Sequence, residues 1–269
     1  MSSLKEVLAR FTLFQKVMNS PEIIERIAYE ALMDVSLEGT DAVEFRYSPS
    51  FVSELSKLDW SAVLGAFERG LKKAQAECGV RYGLLCIVSR EYGIKAADET
   101  IAFAIENKQS FTGFDLAGDE AALPNRLFTD SFKAAAKSGM RITIHAGEAS
   151  GPESVWDAID LLGAERIGHG ITSIRDKELM KRLSKDQILL ETCPSSNFIT
   201  RTVSSWKEHP LPQFLEAGVP VSISTDDPGI FGVSLSEEYK RVKELLALTD
   251  ADLNRIDRYS VEHSFLKFK

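Results

Sequence analysis

Arg141-Ile142-Thr143-Ile144-His145-Ala146-Gly147-Glu148 begins as a short β-branched apolar run and ends on an imidazole, a glycine turn and a carboxylate. A run of this kind reads as a buried strand that carries polar groups at its mouth. A metal ligand beside a proton donor is one use of such a pair. A His and a Glu satisfied by neighbouring backbone is the other.

Six more runs of similar length flank it: Asp41–Pro49, Tyr82–Arg90, Phe111–Asp119, Arg166–Gly170, Gln187–Pro194 and Pro220–Pro228. Helical stretches separate them. In Pro21–Leu32 the residues Ile23, Ile24, Ile27 and Ala31 share one face, with Ser20 as N-cap and Pro21 in the first turn. Trp60–Cys78 repeats the pattern with Val63, Leu64, Phe67, Leu71 and Ala74. Strands alternating with helices imply parallel pairing, because each crossover helix returns the chain to the same edge. Both an open doubly wound sheet and a closed (β/α)8 barrel satisfy that alternation.

The polar strand ends decide for the barrel. No Gly-rich phosphate loop follows the first run, whereas polar or titratable residues close six of the seven: Arg46 with Ser48, Arg90, Asp115 with Asp119, His145 with Glu148, His169, and Asp226 with Asp227. Each has an ordinary alternative. Asp227 before Pro228 reads as a helix N-cap, and Asp115, Asp119 and Glu120 around Gly118 read as solvated loop acids. His169 lies between Gly168 and Gly170, which reads as a ring left little covered so that a ligand can approach. His209 and His263 fall outside any strand mouth and read as surface or structural residues. Together, strand ends on one rim are what a metal-assisted hydrolytic site requires.

The 269 residues, 44% hydrophobic and 27% charged with no linker, read as one barrel domain over 1–269. A net charge of −8 without a dense Lys/Arg run excludes nucleic acid and anionic membranes as partners. Three scattered cysteines form neither a disulfide framework nor a thiolate zinc site, and the first twenty residues show no signal-peptide run; a cytoplasmic setting is expected.

In order along the chain, Asp115-Leu-Ala-Gly118-Asp119-Glu120, His145-Ala-Gly-Glu148, Arg166-Ile-Gly-His169-Gly170 and Ser224-Thr225-Asp226-Asp227-Pro228 resemble the adenosine deaminase family. Glu44-Phe-Arg-Tyr-Ser-Pro49 and Glu191-Thr-Cys-Pro-Ser-Ser-Asn197 match further family segments. The resemblance implies that His145 and Asp226 ligate Zn2+, that Glu148 protonates the purine ring, and that His169 positions or deprotonates the attacking water. Asp227 and the Gly118 backbone would hold the purine. The implied partner is a small purine nucleoside, adenosine or deoxyadenosine, hydrolysed to inosine or deoxyinosine and ammonia. Adenine or another purine derivative is the alternative substrate.

The family's first strand supplies a His-x-His pair, and this chain has four histidines, His145, His169, His209 and His263, with no such pair. Ser3–Phe11 resembles the helix that follows that strand. The expectation is a (β/α)8 TIM barrel of the metal-dependent hydrolase type with its first strand missing; a shortened chain, one read from an internal start and a non-catalytic purine-binding relative are the three readings of that gap, the last being the alternative to the enzyme. A barrel that opens cyclic amides through a lysine-bridged metal pair is disfavoured, since no strand ends on a suitable Lys.

Overall fold

A computed structural model describes residues 4–267 of the chain. All seven runs are strands: β1 (Ala42–Tyr47), β2 (Arg81–Ser89), β3 (Gly113–Ala117), β4 (Arg141–Ala146), β5 (Arg166–His169), β6 (Leu189–Thr192) and β7 (Val221–Ile223). They form one sheet in chain order, each pair parallel, with register set by partners such as Tyr47 and Cys86, Asp115 and Thr143, and Ala146 and His169. Helices lie between successive strands, as right-handed crossovers demand.

The sheet curls, and charged side chains show by how much. Arg46 on β1 reaches Glu191 on β6 at 3.0 Å and Asp115 on β3 at 2.9 Å. Arg166 on β5 reaches back to Glu44 on β1 at 2.6 Å. Its Nε also lies 2.7 Å from Glu191 Oε1, an ion pair without hydrogen-bond alignment. A flat sheet in this order would hold β1 and β6 five strand spacings apart, so these contacts require a barrel-like closure. Among the described residues β1 and β7 each have one neighbour only, and the structure is a TIM-barrel-like sheet one strand short of eight.

The apolar core lies between the sheet and its helices, where Ile142, Ile144, Ile167, Leu190 and Val221 are fully or nearly fully buried. The Pro21–Leu37 helix starts as its sequence requires, with Ser20 Oγ accepting from the Ile23 N–H, and it buries Ile24, Ala28 and Leu32. It crosses the Trp60–Cys78 helix at Gly70, where a Cβ would stand 2.1 Å from the Glu25 carbonyl oxygen. Any side chain at position 70 would force the two helices apart. Leu4–Val17 is helical, as the reading of Ser3–Phe11 expected, although Ser3 itself lies outside the described residues.

Candidate active site

His145 leaves the end of β4 with its Nδ1 3.0 Å from Asp115 Oδ1 on β3. Asp115 is fully buried, and Arg46 grips its other oxygen. Burial alone would raise the Asp115 carboxyl, but the His145 and Arg46 charges outweigh it and hold the group well below its usual range. Burial likewise opposes a charge on His145, yet the Asp115 carboxylate lifts its pKa to about 9. With Nδ1 engaged, the other ring nitrogen of His145 is the one left for a ligand. A carboxylate behind an imidazole is the usual way of orienting a metal-binding histidine.

His169 ends β5 with its ring 5.2 Å from that of His145. It is 2% exposed, so the flanking glycines do not bare it. They serve packing instead. A Cβ at Gly168 would lie 3.0 Å from the His145 ring, and one at Gly170 would lie 2.6 Å from Leu190 Cδ2. His169 Nε2 faces Glu148 Oε2 at 3.5 Å and Asp226 Oδ2 at 4.0 Å, while its Nδ1 meets Asn197 Nδ2 at 3.1 Å. Burial raises the Glu148 carboxyl above its ordinary value, with His169 opposing and Asp226 reinforcing the shift.

Asp226 follows β7 with its carboxylate accepting from Ser196 Oγ at 2.7 Å. Its neighbour Asp227 precedes a short helix, Pro228–Phe231, yet its side chain makes no capping bond, so the N-cap reading fails. Burial and the adjacent Asp226 push the Asp227 carboxyl well above the usual range. His169 and Asp226 both hold left-handed backbone, φ 62° and 58°. Such conformations cost non-glycine residues roughly 1–3 kcal/mol each and gather at functional sites.

The acids around Gly118 have three different fates. Asp115 supports His145, Asp119 accepts from the Ala122 N–H, and Glu120 is buried as a backbone clamp. Glu120 accepts N–H bonds from Gly147, Glu148, Ala149 and Ser150, and a hydroxyl bond from Ser154, all at 2.5–3.1 Å. Asp115 and Glu120 are thus not the solvated loop acids the sequence suggested, whereas Asp119 remains a loop acid. Gly118 follows β3 at the same mouth with φ 112°, and a Cβ there would collide with the Glu91 carboxylate at 2.2 Å.

Of the two readings of His209, surface or structural, the structural one holds. It is 1% exposed, and its Nε2 lies 3.3 Å from Asn197 Oδ1, which ties it to His169. His263 is half-buried, and only its carbonyl reaches the barrel interior, where it accepts from Arg166. Asn197 and Ser196 were visible in the sequence only as parts of a matched segment, and Glu120 only as one of the acids around Gly118. Their positions behind the site depend on the fold.

Ligand-type atoms of His145, His169 and Asp226 lie within 4.8 Å of one another. His145 and Asp226, each anchored from behind, are an imidazole and a carboxylate that suit zinc, and His169 stands beside them. Among the described residues no helix is long and apolar enough to cross a membrane.

Comparison with known proteins bears on the family and the fold. Residues 1–269 match the adenosine deaminase family. Adenosine deaminase of Shewanella loihica is 40% identical over 98% of this chain and 80% of its own length, and that of Klebsiella pneumoniae is 39% identical over 96% and 78%. Adenine deaminase of Arthrobacter aurescens superposes with a TM-score of 0.95 at 24% identity, covering 99% of this chain and 81% of that one. N6-methyl-AMP deaminase of Arabidopsis thaliana gives 0.87 at 26%, covering 99% and 80%. An amidohydrolase from Burkhoderia ambifaria, solved with bound Zn, gives 0.88 at 26%, covering 93% and 70%. A barrel whose β3, β4, β5 and β7 ends bring two imidazoles and paired carboxylates together, in a sequence so matched, belongs to the adenosine deaminase family of aminohydrolases.

Proposed function

We propose that the chain catalyses hydrolytic deamination of adenosine and deoxyadenosine to the inosine products and ammonia. The observation that carries the reading is the convergence of His145, Glu148, His169 and Asp226 at one barrel mouth. His145 and Asp226 would hold Zn2+, which when bound supplies the Lewis acidity that makes water nucleophilic near neutral pH.

The chain's own groups account for the rest. Glu148, whose carboxyl burial raises above its ordinary value, is the group placed to donate a proton to a purine ring nitrogen as the amino-bearing carbon is attacked. His169, beside Glu148 at the mouth, turns its Nε2 toward the attacking oxygen. Asp227, whose carboxyl burial and the neighbouring Asp226 push up, and the Gly118 backbone at the end of β3 hold the purine. Of the attacking water's two protons, one restores the acid form of Glu148 and the other passes to the amino group, which leaves as ammonia.

Two observations favour a nucleoside over a nucleotide. The curated relatives at 38–40% identity are adenosine deaminases, whereas the adenine and N6-methyl-AMP deaminases lie at 24–26%. The interior cations Arg46, Arg90 and Arg166 are all committed to protein acceptors, which leaves none of the three for a phosphate.

The test is zinc content and ammonia release by the purified chain supplied with zinc, on adenosine, deoxyadenosine, adenine and AMP. Stoichiometric zinc with adenosine turnover supports the reading. Turnover confined to adenine or AMP would replace the substrate, and a zinc-free protein that binds inosine without turnover would make the chain a purine-binding relative.

A further inference from the structure

Behind His169 a hydrogen-bond chain leads away from the mouth and ends on a backbone amide. The Leu211 N–H donates to His209 Nδ1 at 3.2 Å. His209 Nε2 meets Asn197 Oδ1 at 3.3 Å, and Asn197 Nδ2 meets His169 Nδ1 at 3.1 Å. All three side chains are almost completely buried, at 1%, 0% and 2% exposure.

Ring-proton and amide orientations are ordinarily free choices within a network. Here a group without choice fixes them. A backbone N–H can only donate, so His209 Nδ1 must be bare, and a neutral His209 then carries its proton on Nε2. Burial supports that neutral form by lowering the His209 pKa to about 3. The Nε2–H donates to an oxygen, so the Asn197 amide oxygen faces His209 and its NH2 faces His169. That NH2 needs an acceptor, and His169 Nδ1 is the atom in reach.

We propose that Asn197 and His209 are positioning residues that hold His169 in one tautomer, with Nδ1 bare and the proton on Nε2 facing Glu148 and Asp226. His169 therefore enters the site as a hydrogen-bond donor. It orients an oxygen at the mouth rather than accepting that oxygen's proton at Nε2. The assignment stands on hydrogen bonds alone, and only its catalytic consequence rests on the deaminase reading.

The test is a two-bond 1H–15N correlation spectrum of the histidine rings, in which protonated and bare ring nitrogens are well separated. With four histidines in the chain, His169 is assigned by its substitution. The expected spectrum has a bare-type Nδ1 and a protonated-type Nε2 at His169. In Asn197→Asp both oxygens only accept, so the His169 Nδ1 signal shifts to the protonated class. In His209→Gln the new amide accepts from Leu211 and donates to Asn197, so the wild-type pattern survives, whereas His209→Phe averages the two nitrogens. A wild-type His169 protonated at Nδ1, or an Asn197→Asp spectrum with Nδ1 still bare, overturns the proposal. Should Asn197→Asp fail to fold, the contrast between His209→Gln and His209→Phe decides in its place, and identical spectra there overturn it. No arm needs turnover, so an inactive chain leaves the test intact.

Discussion

Glu148 and Asp226 stand about equally near His169, yet their substitution separates two functions. Glu148→Gln keeps the shape and removes the acid. Zinc content should hold while kcat drops about 10²–10⁴-fold, the usual worth of a general acid, in a steady-state ammonia assay. Asp226→Ala removes a ligand, so metal analysis should show lower zinc occupancy, and full occupancy would strike Asp226 from the donor set. His209 makes itself felt through stability. Its folded pKa of about 3 lies below the unfolded value near 6.5, so the stabilisation is fully present above about pH 6.5 and is lost as pH falls toward 3. The slope approaches roughly 1.4 kcal/mol per pH unit, and His209→Gln should flatten it in urea titrations from pH 7 to 4. The strand-end residues His145, Glu148, His169, Asp226 and Asp227 were legible in the sequence because strands deliver their ends to one rim. His209 was not, because nothing local marks a histidine before Pro210 as buried, and its partner Asn197 is brought to it by the turn after Ile199.

Among the elements, the turn after β4 depends on one carboxylate. Glu120 gathers four successive backbone N–H groups and so fixes where Glu148 begins. The cluster extends through Ser154 and Asn125 to Arg90, whose guanidinium also binds the His145 carbonyl. Glu120→Gln would set an amide NH2 among donors. It should cost about 1–3 kcal/mol in urea unfolding and speed amide exchange at Gly147–Ser150, while exchange as slow as in the native chain would show that the turn holds itself. All seven strands were readable from their apolar runs, since parallel strands covered on both faces give continuous rather than alternating patterns. Their ends were less so. Pro220–Pro228 narrows to a three-residue strand, Val221–Ile223, because the chain turns to the left-handed backbone at Asp226 soon afterwards.

For the whole molecule, the outer edges of β1 and β7 are the weak points, although the β7 residues themselves are buried. Each offers backbone donors and acceptors without a strand partner among the described residues, and such edges recruit other chains. Light scattering across a concentration series should show self-association, and a strictly monomeric chain at high concentration would mean that the edges are covered. Inside the barrel the charges form a ring that no short segment can satisfy. Arg46 lies 69 residues before Asp115 and 145 before Glu191, and Glu44 lies 122 before Arg166. At about 5–20 residues per second a ribosome takes roughly 7–30 s to travel from Arg46 to Glu191. Throughout that interval β1 carries an arginine and a glutamate whose counter-ions have not all been made, so the nascent strand cannot close into its final place, and a strand made early is among the last to be secured.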